Sequence, residues 1–385
     1  MTETARIDAF LAASLRALRN GEAGVWTLDH VDDWKSVWSR IEFHGLPIIL
    51  HSQAERLLQW PTSLLERVAE EARLVVLWET THAHAVTAIL ADLTDAGVES
   101  VVMKGTALAY GFHDDPASRR RGDTDLLIAP ADLDKTRAAF EAAGWYRKRD
   151  PHGLYYQEGW LHRSAGFFEH AVDLHWCPTD RPVLQKLLPA GGFFDRKVAL
   201  PKLAGSAYRP DNATMVLHAV INQKWHAQHG YDAEDGRVVG QRRLIWSIDF
   251  DLLIRAFKPE DWEQLTTRAL DCGAGPLVAE ALLGAQEDLR TQLPQDRVQQ
   301  LRDAPLSEDL TRYFSDADTL SQFMLDMRTS SGVGQKAKLL WTRAFPPRAH
   351  LLNKYPAASS WPTPILQGRL LIETVGRMLK KAGAR

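Results

Sequence analysis

Three aspartates set into short apolar runs constrain this chain more than any other feature. Val101-Val102-Met103 runs into Lys104-Gly105-Thr106, and Arg119-Arg120-Arg121-Gly122 runs into Asp123-Thr124-Asp125-Leu126-Leu127-Ile128. A third run is Val172-Asp173-Leu174-His175-Trp176. Each run has the length and β-branched content of a strand. Strand side chains alternate between faces, so Asp123 and Asp125 point the same way, their α-carbons about 6.5–7 Å apart. Thr124, Leu126 and Ile128 point the other way, onto a core. In the third run Asp173 and His175 share a face, and Glu169 upstream is an alternative third carboxylate.

Two aspartates fixed on one face repel each other unless a cation lies between them. Mg²⁺ suits such a pair, because it takes oxygen ligands and is usually bound through one or two carboxylates plus substrate phosphates; Mn²⁺ is the expected substitute. With Asp173 as a further ligand or as a general base, a two-metal site about 3.5–4 Å across becomes geometrically reasonable. A glycine at a strand-to-helix turn lets backbone approach a phosphate, and helix-terminal N–H groups attract anions. Gly105 and Thr106 are therefore the expected phosphate-positioning pair, with Lys104 and Arg119 neutralising charge. No part is specific alone: an isolated Asp-x-Asp is ordinarily a turn or a solvated strand edge, and three consecutive arginines are ordinarily a solvated cluster. The order of the parts carries the reading. The Gly-x-x-x-x-Gly-Lys-Ser/Thr phosphate loop is absent.

At 385 residues the chain has room for two or three domains. Its 45% hydrophobic and 25% charged content is that of an ordinary globular protein. Two cysteines, Cys177 and Cys272, give neither a disulfide framework nor a zinc spacing, so a reducing, cytoplasmic setting is expected. No apolar run approaches the ~18 residues of a spanning segment, no secretory leader is evident, and no membrane partner is expected. A net charge of −3 argues against an extended nucleic-acid surface.

Residues 1–97 read as helical. Ile7, Phe10, Leu11, Leu15 and Leu18 recur at helical spacing, and Ser63-Leu64-Leu65-Glu66 has the form of a capping box opening a long helix that stops at Gly97. Residues 98–205 read as α+β: strands near 98–103, 123–129, 155–157 and 167–176, with a helix over 132–143 ending at Gly144. Residues 206–385 read as helical again, over 214–226, 244–257, 259–269, 276–289, 307–326 and 365–381, with 227–241 as an exposed loop. The basic amphipathic last helix reads as a terminal packing helix with a solvated face, with a helix lying on a membrane as the lesser alternative.

These residues resemble the bacterial family known only as uncharacterised nucleotidyltransferases, itself similar to the DNA polymerase β superfamily. The family pattern is approximately Leu-Lys-Gly-x-x-Leu, then Arg-x-x-Gly-Asp-Ile-Asp-Leu-Leu-Val, then Val-Asp-Leu-His-Trp. Met103 to Leu108, Arg119 to Ile128 and Val172 to Trp176 are similar to these three segments. Leu244, Trp246, Asp249, Phe345-Pro346 and Tyr355 extend the likeness over about residues 30–380. The resemblance implies a polymerase-β-like core, a small mixed sheet with helices, flanked by helical regions. It also implies transfer of a nucleoside monophosphate from a nucleoside triphosphate to an unidentified hydroxyl (small molecule, peptide, protein or RNA), with release of pyrophosphate. Asp123, Asp125 and Asp173 would be the catalytic metal ligands. Lys224, in Gln223-Lys224-Trp225-His226 where relatives show Ala-Lys-His, would join the phosphate-binding residues. His218, Asn222 and His226 share a face of that helix, where packing or phosphate contact is a simpler role than metal binding. The alternatives are a non-catalytic nucleotide sensor or partner-binding protein on the same fold, and a toxin-like enzyme acting on tRNA or protein.

Overall fold

The computed structural model describes residues 2–28, 34–148, 156–164, 168–233, 236–315, 319–330, 332–346 and 348–382. It is a mixed α+β structure built on one five-stranded sheet: β1 Ser100–Met103, β2 Asp123–Ile128, β3 Tyr146–Arg147, β4 Gln157–Arg163 and β5 Glu169–His175. The order across the sheet is β1-β2-β5-β4-β3. Only the central β2–β5 pair is parallel; its neighbours are antiparallel.

Helices precede the sheet: α1 Glu3–Arg19, α2 Trp34–His44, α3 Pro47–His51 and α4 Thr62–Asp95. The 34 residues of α4 contain no glycine or proline, which lets it run unbroken. It opens at Pro61, and the Ser63–Glu66 capping box expected from sequence does not form. It closes at Gly97, φ +68°, where Val98 N–H reaches back to the Leu93 carbonyl at 2.8 Å; only glycine takes that conformation without penalty. By length and composition α4 could cross a membrane. In this structure Val86, Ile89, Leu90 and Leu93 are buried in the same apolar cluster as Leu126 and Ile128 of β2.

Between strands lie α5 Lys104–Phe112 and α6 Leu133–Ala142. After two short helical turns come α7 Asn212–His229, α8 Leu244–Arg255, α9 Pro259–Asp271 and α10 Gly275–Leu289. Next are α11 Gln295–Asp303, α12 Glu308–Ser315, α13 Thr319–Thr329, α14 Val333–Ala344, α15 Arg348–Lys354 and α16 Thr363–Ala382. The helix expected over 307–326 is thus two helices. The expected loop over 227–241 begins with the last turn of α7 and contains an antiparallel pair, Tyr231–Ala233 with Gly236–Val238.

Side chains share a core across the divisions seen in sequence. One apolar cluster includes Ala85, the sheet and helices as far as Leu325. A second joins α1, α2 and the start of α4 to Leu244 and Leu289. Arg16 and Arg19 donate to the Asp288 and Leu289 carbonyls at 2.8 and 2.5 Å, neutralising the C-terminal end of α10.

Candidate active site

The register of the sheet assembles the site. β2 and β5 pair with Asp125 opposite Asp173 and Asp123 opposite Ala171. Asp123, Asp125, Asp173 and His175 therefore share one face of two adjacent strands. On the far side of β5, the residue opposite Asp173 is Gly159. A methyl there would stand 3.5 Å from Asp173 Oδ1, so the missing side chain leaves that carboxylate clear.

β1 ends beside the same point, with Met103 opposite Asp125. The chain then turns directly into α5. The residue that makes the turn is Lys104, at φ +48°, and not Gly105. A non-glycine residue in the left-handed region costs about 1–3 kcal/mol. The conformation carries the Lys104 ammonium to 2.5 Å from Asp125 Oδ1. His175 Nε2 lies 2.9 Å from the same oxygen.

Ligand atoms of Asp125, Asp173 and His175 all lie within 4.8 Å of one another. His175 Nδ1 is buried and makes no hydrogen bond. Two carboxylates and an imidazole so placed are a chemically suitable donor set for a divalent cation. Asp123 stands at the mouth of the strand, outside that trio. His175 was visible in the sequence as a same-face neighbour of Asp173 but carried no role there; only the register shows it reaching Asp125.

Charge has separated the three carboxyls. Asp123 is pushed up to about 7, by burial first and then by Asp125 and Asp173. Asp173 is also raised, by burial and by Asp125. Burial would raise Asp125 as well, but Lys104 and His175 outweigh it and hold it below the usual carboxylate range. Burial would depress the Lys104 ammonium; Asp125, Asp173 and Asp123 outweigh it and raise it.

Thr106 does not face this site. Its hydroxyl meets Thr124 Oγ1 at 2.9 Å and accepts from Arg121 Nε at 3.0 Å, on the α4 side of the sheet. Thr124 in turn meets His82 of α4 at 2.8 Å. The three consecutive arginines are each committed to a carboxylate: Arg119 to Asp249 at 2.8 Å, Arg120 to Glu71 at 3.0 Å, Arg121 to Glu79 at 2.7 Å. They tie the segment before β2 to α4 and α8, and are neither a solvated cluster nor free phosphate ligands. Lys224 pairs with Glu280 at 2.5 Å. Glu169 lies at the opposite end of β5, bonded to Tyr146 at 2.6 Å.

Two clefts share Lys104 in their walls, and His218 and Asn222 of α7 line both. One also has Gly105, Arg119, Trp246 and Phe250 in its wall. The other, of about 250 Å³, is lined by Gln157, His175, Asp180, Arg181, Trp225 and His226. Burial, with Lys104 nearby, holds His218 down to about 3, so it is a neutral hydrogen-bonding group in the cleft wall. Among the described residues, the His218–His226 face forms no metal cluster with acidic groups.

The family model for uncharacterised nucleotidyltransferases matches residues 30–289. That covers the sheet, α4 and the helices through α10, and stops short of the likeness expected as far as 380. A comparison with curated proteins gives no match. The matched span is well over half of the 385 residues and contains every carboxylate of the site, and on that basis the chain belongs to the uncharacterised nucleotidyltransferase family.

Proposed function

We propose that this protein transfers a nucleoside monophosphate from a nucleoside triphosphate to an acceptor hydroxyl, releasing pyrophosphate. The observation that carries the reading is the pairing of Asp125 with Asp173 across parallel strands, with Lys104 held against Asp125 at the start of a helix. Asp125, Asp173 and His175 would hold a divalent cation, Mg²⁺ or Mn²⁺, with Asp123 at the entrance as a further oxygen donor. Such an ion neutralises triphosphate charge and stabilises the leaving pyrophosphate.

The remaining roles belong to the chain. Lys104 and the first N–H groups of α5 meet the phosphates, where a helix N-terminus favours an anion. Gly105 would offer its backbone to the phosphates, since a side chain there would turn toward Arg121, 3.5 Å away. Asp173, opposite Asp125 across the parallel strands, accepts the proton of the attacking hydroxyl. That oxygen bonds to the α-phosphorus as the bond to the bridging oxygen breaks, and the electron pair leaves with pyrophosphate. The two clefts meeting at Lys104 give donor and acceptor separate entrances. Arg119 and Lys224 serve by holding Asp249 and Glu280, the first shaping a cleft wall.

The test is incubation with each α-labelled nucleoside triphosphate, Mg²⁺ or Mn²⁺, and fractionated cell extract, followed by pyrophosphate release and by the species that gains label. Asp125→Asn should abolish both signals. Triphosphate binding without pyrophosphate release in any fraction would replace catalysis with nucleotide sensing. Label entering the tRNA fraction would identify the acceptor class.

A further inference from the structure

The near-neutral total conceals two opposite charges. Ten of the 46 Lys and Arg residues, but one of the 49 Asp and Glu, fall in residues 333–385, giving that stretch +9 and the rest of the chain −12. The stretch also lies beyond the span matched by the family.

Its helices expose the wrong side for a packing element. In α14, Leu339 is buried, while Val333, Leu340 and Trp341 face water, with Val333 at 84% and Trp341 at 66% exposure. Their spacing of seven and eight residues puts them on one helical face. Phe345 continues the stripe, its ring 4.5 Å from Trp341. In α16, Leu366 is buried with Leu351 and Tyr355, while Ile365 and Ile372, seven apart, are exposed, Ile372 at 75%. Trp361 is exposed just before the helix, with Arg369 near its ring at 5.8 Å. The two helices touch each other.

We infer that α14 and α16 form a docking surface for an anionic lipid bilayer. Trp341, Phe345, Trp361 and Ile372 would enter the boundary between headgroups and acyl chains, and the surrounding lysines and arginines would meet acidic headgroups. Charge decides between occupants. A second copy through the same face sets +9 against +9. Nucleic acid satisfies the charge and could stack on the tryptophans, but gains nothing from exposed Val333, Leu340, Ile365 and Ile372. A bilayer interface takes both kinds of group. The same charges set the orientation: the −12 body is repelled by an anionic surface, which holds the acidic part of the molecule off the lipid.

The test is co-sedimentation of the full chain with phosphatidylcholine vesicles, with and without roughly one-third phosphatidylserine. Binding is expected to the mixed vesicles at low salt, to fall steeply with salt, and to be weak on phosphatidylcholine alone. Trp341→Ser with Ile372→Ser should lower partitioning about tenfold or more. Lys336→Glu with Lys338→Glu should do the same while leaving the apolar stripe intact. Unchanged circular dichroism and melting in both variants separate lost docking from lost folding. Absence of wild-type binding, equal binding to both vesicle types, or no effect of either variant would overturn the inference. A dimer that the Trp341→Ser variant dissociates would assign the face to a second copy. Tight tRNA binding lost in that variant, with vesicles ignored, would assign it to nucleic acid.

Discussion

Arg121 offers the sharpest test of how the site is held. Its side chain is 4% exposed and lies 2.7 Å from Glu79, itself 9% exposed. It also donates to Thr106 Oγ1 at 3.0 Å, and its guanidinium lies 5.5 Å from the Tyr110 ring centre. Arg121→Met keeps much of the stem and removes the charge. Removing one partner of a buried pair costs about 3–5 kcal/mol, because the other charge is left uncompensated. Glu79 keeps the Tyr110 hydroxyl at 2.6 Å. A hydrogen bond to a charged group is worth about 1.5–3 kcal/mol, which places the loss at the lower end, about 3 kcal/mol. Adding Glu79→Gln removes the stranded charge, so the double variant should lose less than the sum of the singles, by about 2 kcal/mol. Urea unfolding followed by tryptophan fluorescence and circular dichroism reads the four corners of the cycle. Arg121 also helps keep Asp123 ionised, so Arg121→Met should weaken Mn²⁺ binding as well. A loss under about 1 kcal/mol, or no coupling to Glu79, would refute the clamp.

Three further outcomes follow from the geometry. Lys104→Gly and Lys104→Ala both delete the ammonium, but only glycine is at ease at φ +48°, so the glycine variant should be the more stable by about 1–2 kcal/mol in urea; equal stabilities would remove the left-handed turn. Asp123, raised from 3.8 unfolded to about 7 folded, contributes stability present below about pH 4 and lost as pH rises through 7, with Asp173 raised in the same direction; metal-free melting should therefore fall over that window and Asp123→Asn should flatten the slope, while a flat wild-type curve would contradict the shift. His175→Ala should weaken Mn²⁺ binding, read by paramagnetic resonance, about tenfold or more, and Glu169→Gln should leave it unchanged; the reverse pattern would move the ligand set to the other end of β5.

The two strands that carry the aspartates were legible because alternation is local: Asp123, Asp125 and Asp173 each declare their face within a few residues, whereas the strand expected over 155–157 runs Gln157–Arg163 and Tyr146–Arg147 was missed. The helix stops at Gly97 and Gly144 were legible for the same reason, and both glycines have positive φ. What stayed hidden depends on distant partners. Nothing near Arg119, Arg120 and Arg121 announces Asp249, Glu71 or Glu79. Thr106 reads as a phosphate ligand until Thr124 and Arg121 are found beneath it. Lysine has no preference for φ above zero, so the turn at Lys104 looked like work for Gly105. The 231–238 pair was hidden by Gly230, Asp232, Asp235 and Gly236, which signal a loop more strongly than three-residue strands signal themselves. The charge division was in the sequence throughout, lost in a total of −3.

The opposition of Asp125 and Asp173 also bears on how the chain reaches its native state. The two belong to segments about fifty residues apart, joined by one ladder of hydrogen bonds. A slip of β5 by one residue would bury Asp173 among the apolar side chains under α4 and present Val172 or Leu174 to the site. A cation that needs both carboxylates would then stabilise the correct pairing and no neighbouring one. The centre would proofread its own sheet, with metal binding both a step toward activity and a report that the strands have met in the right order.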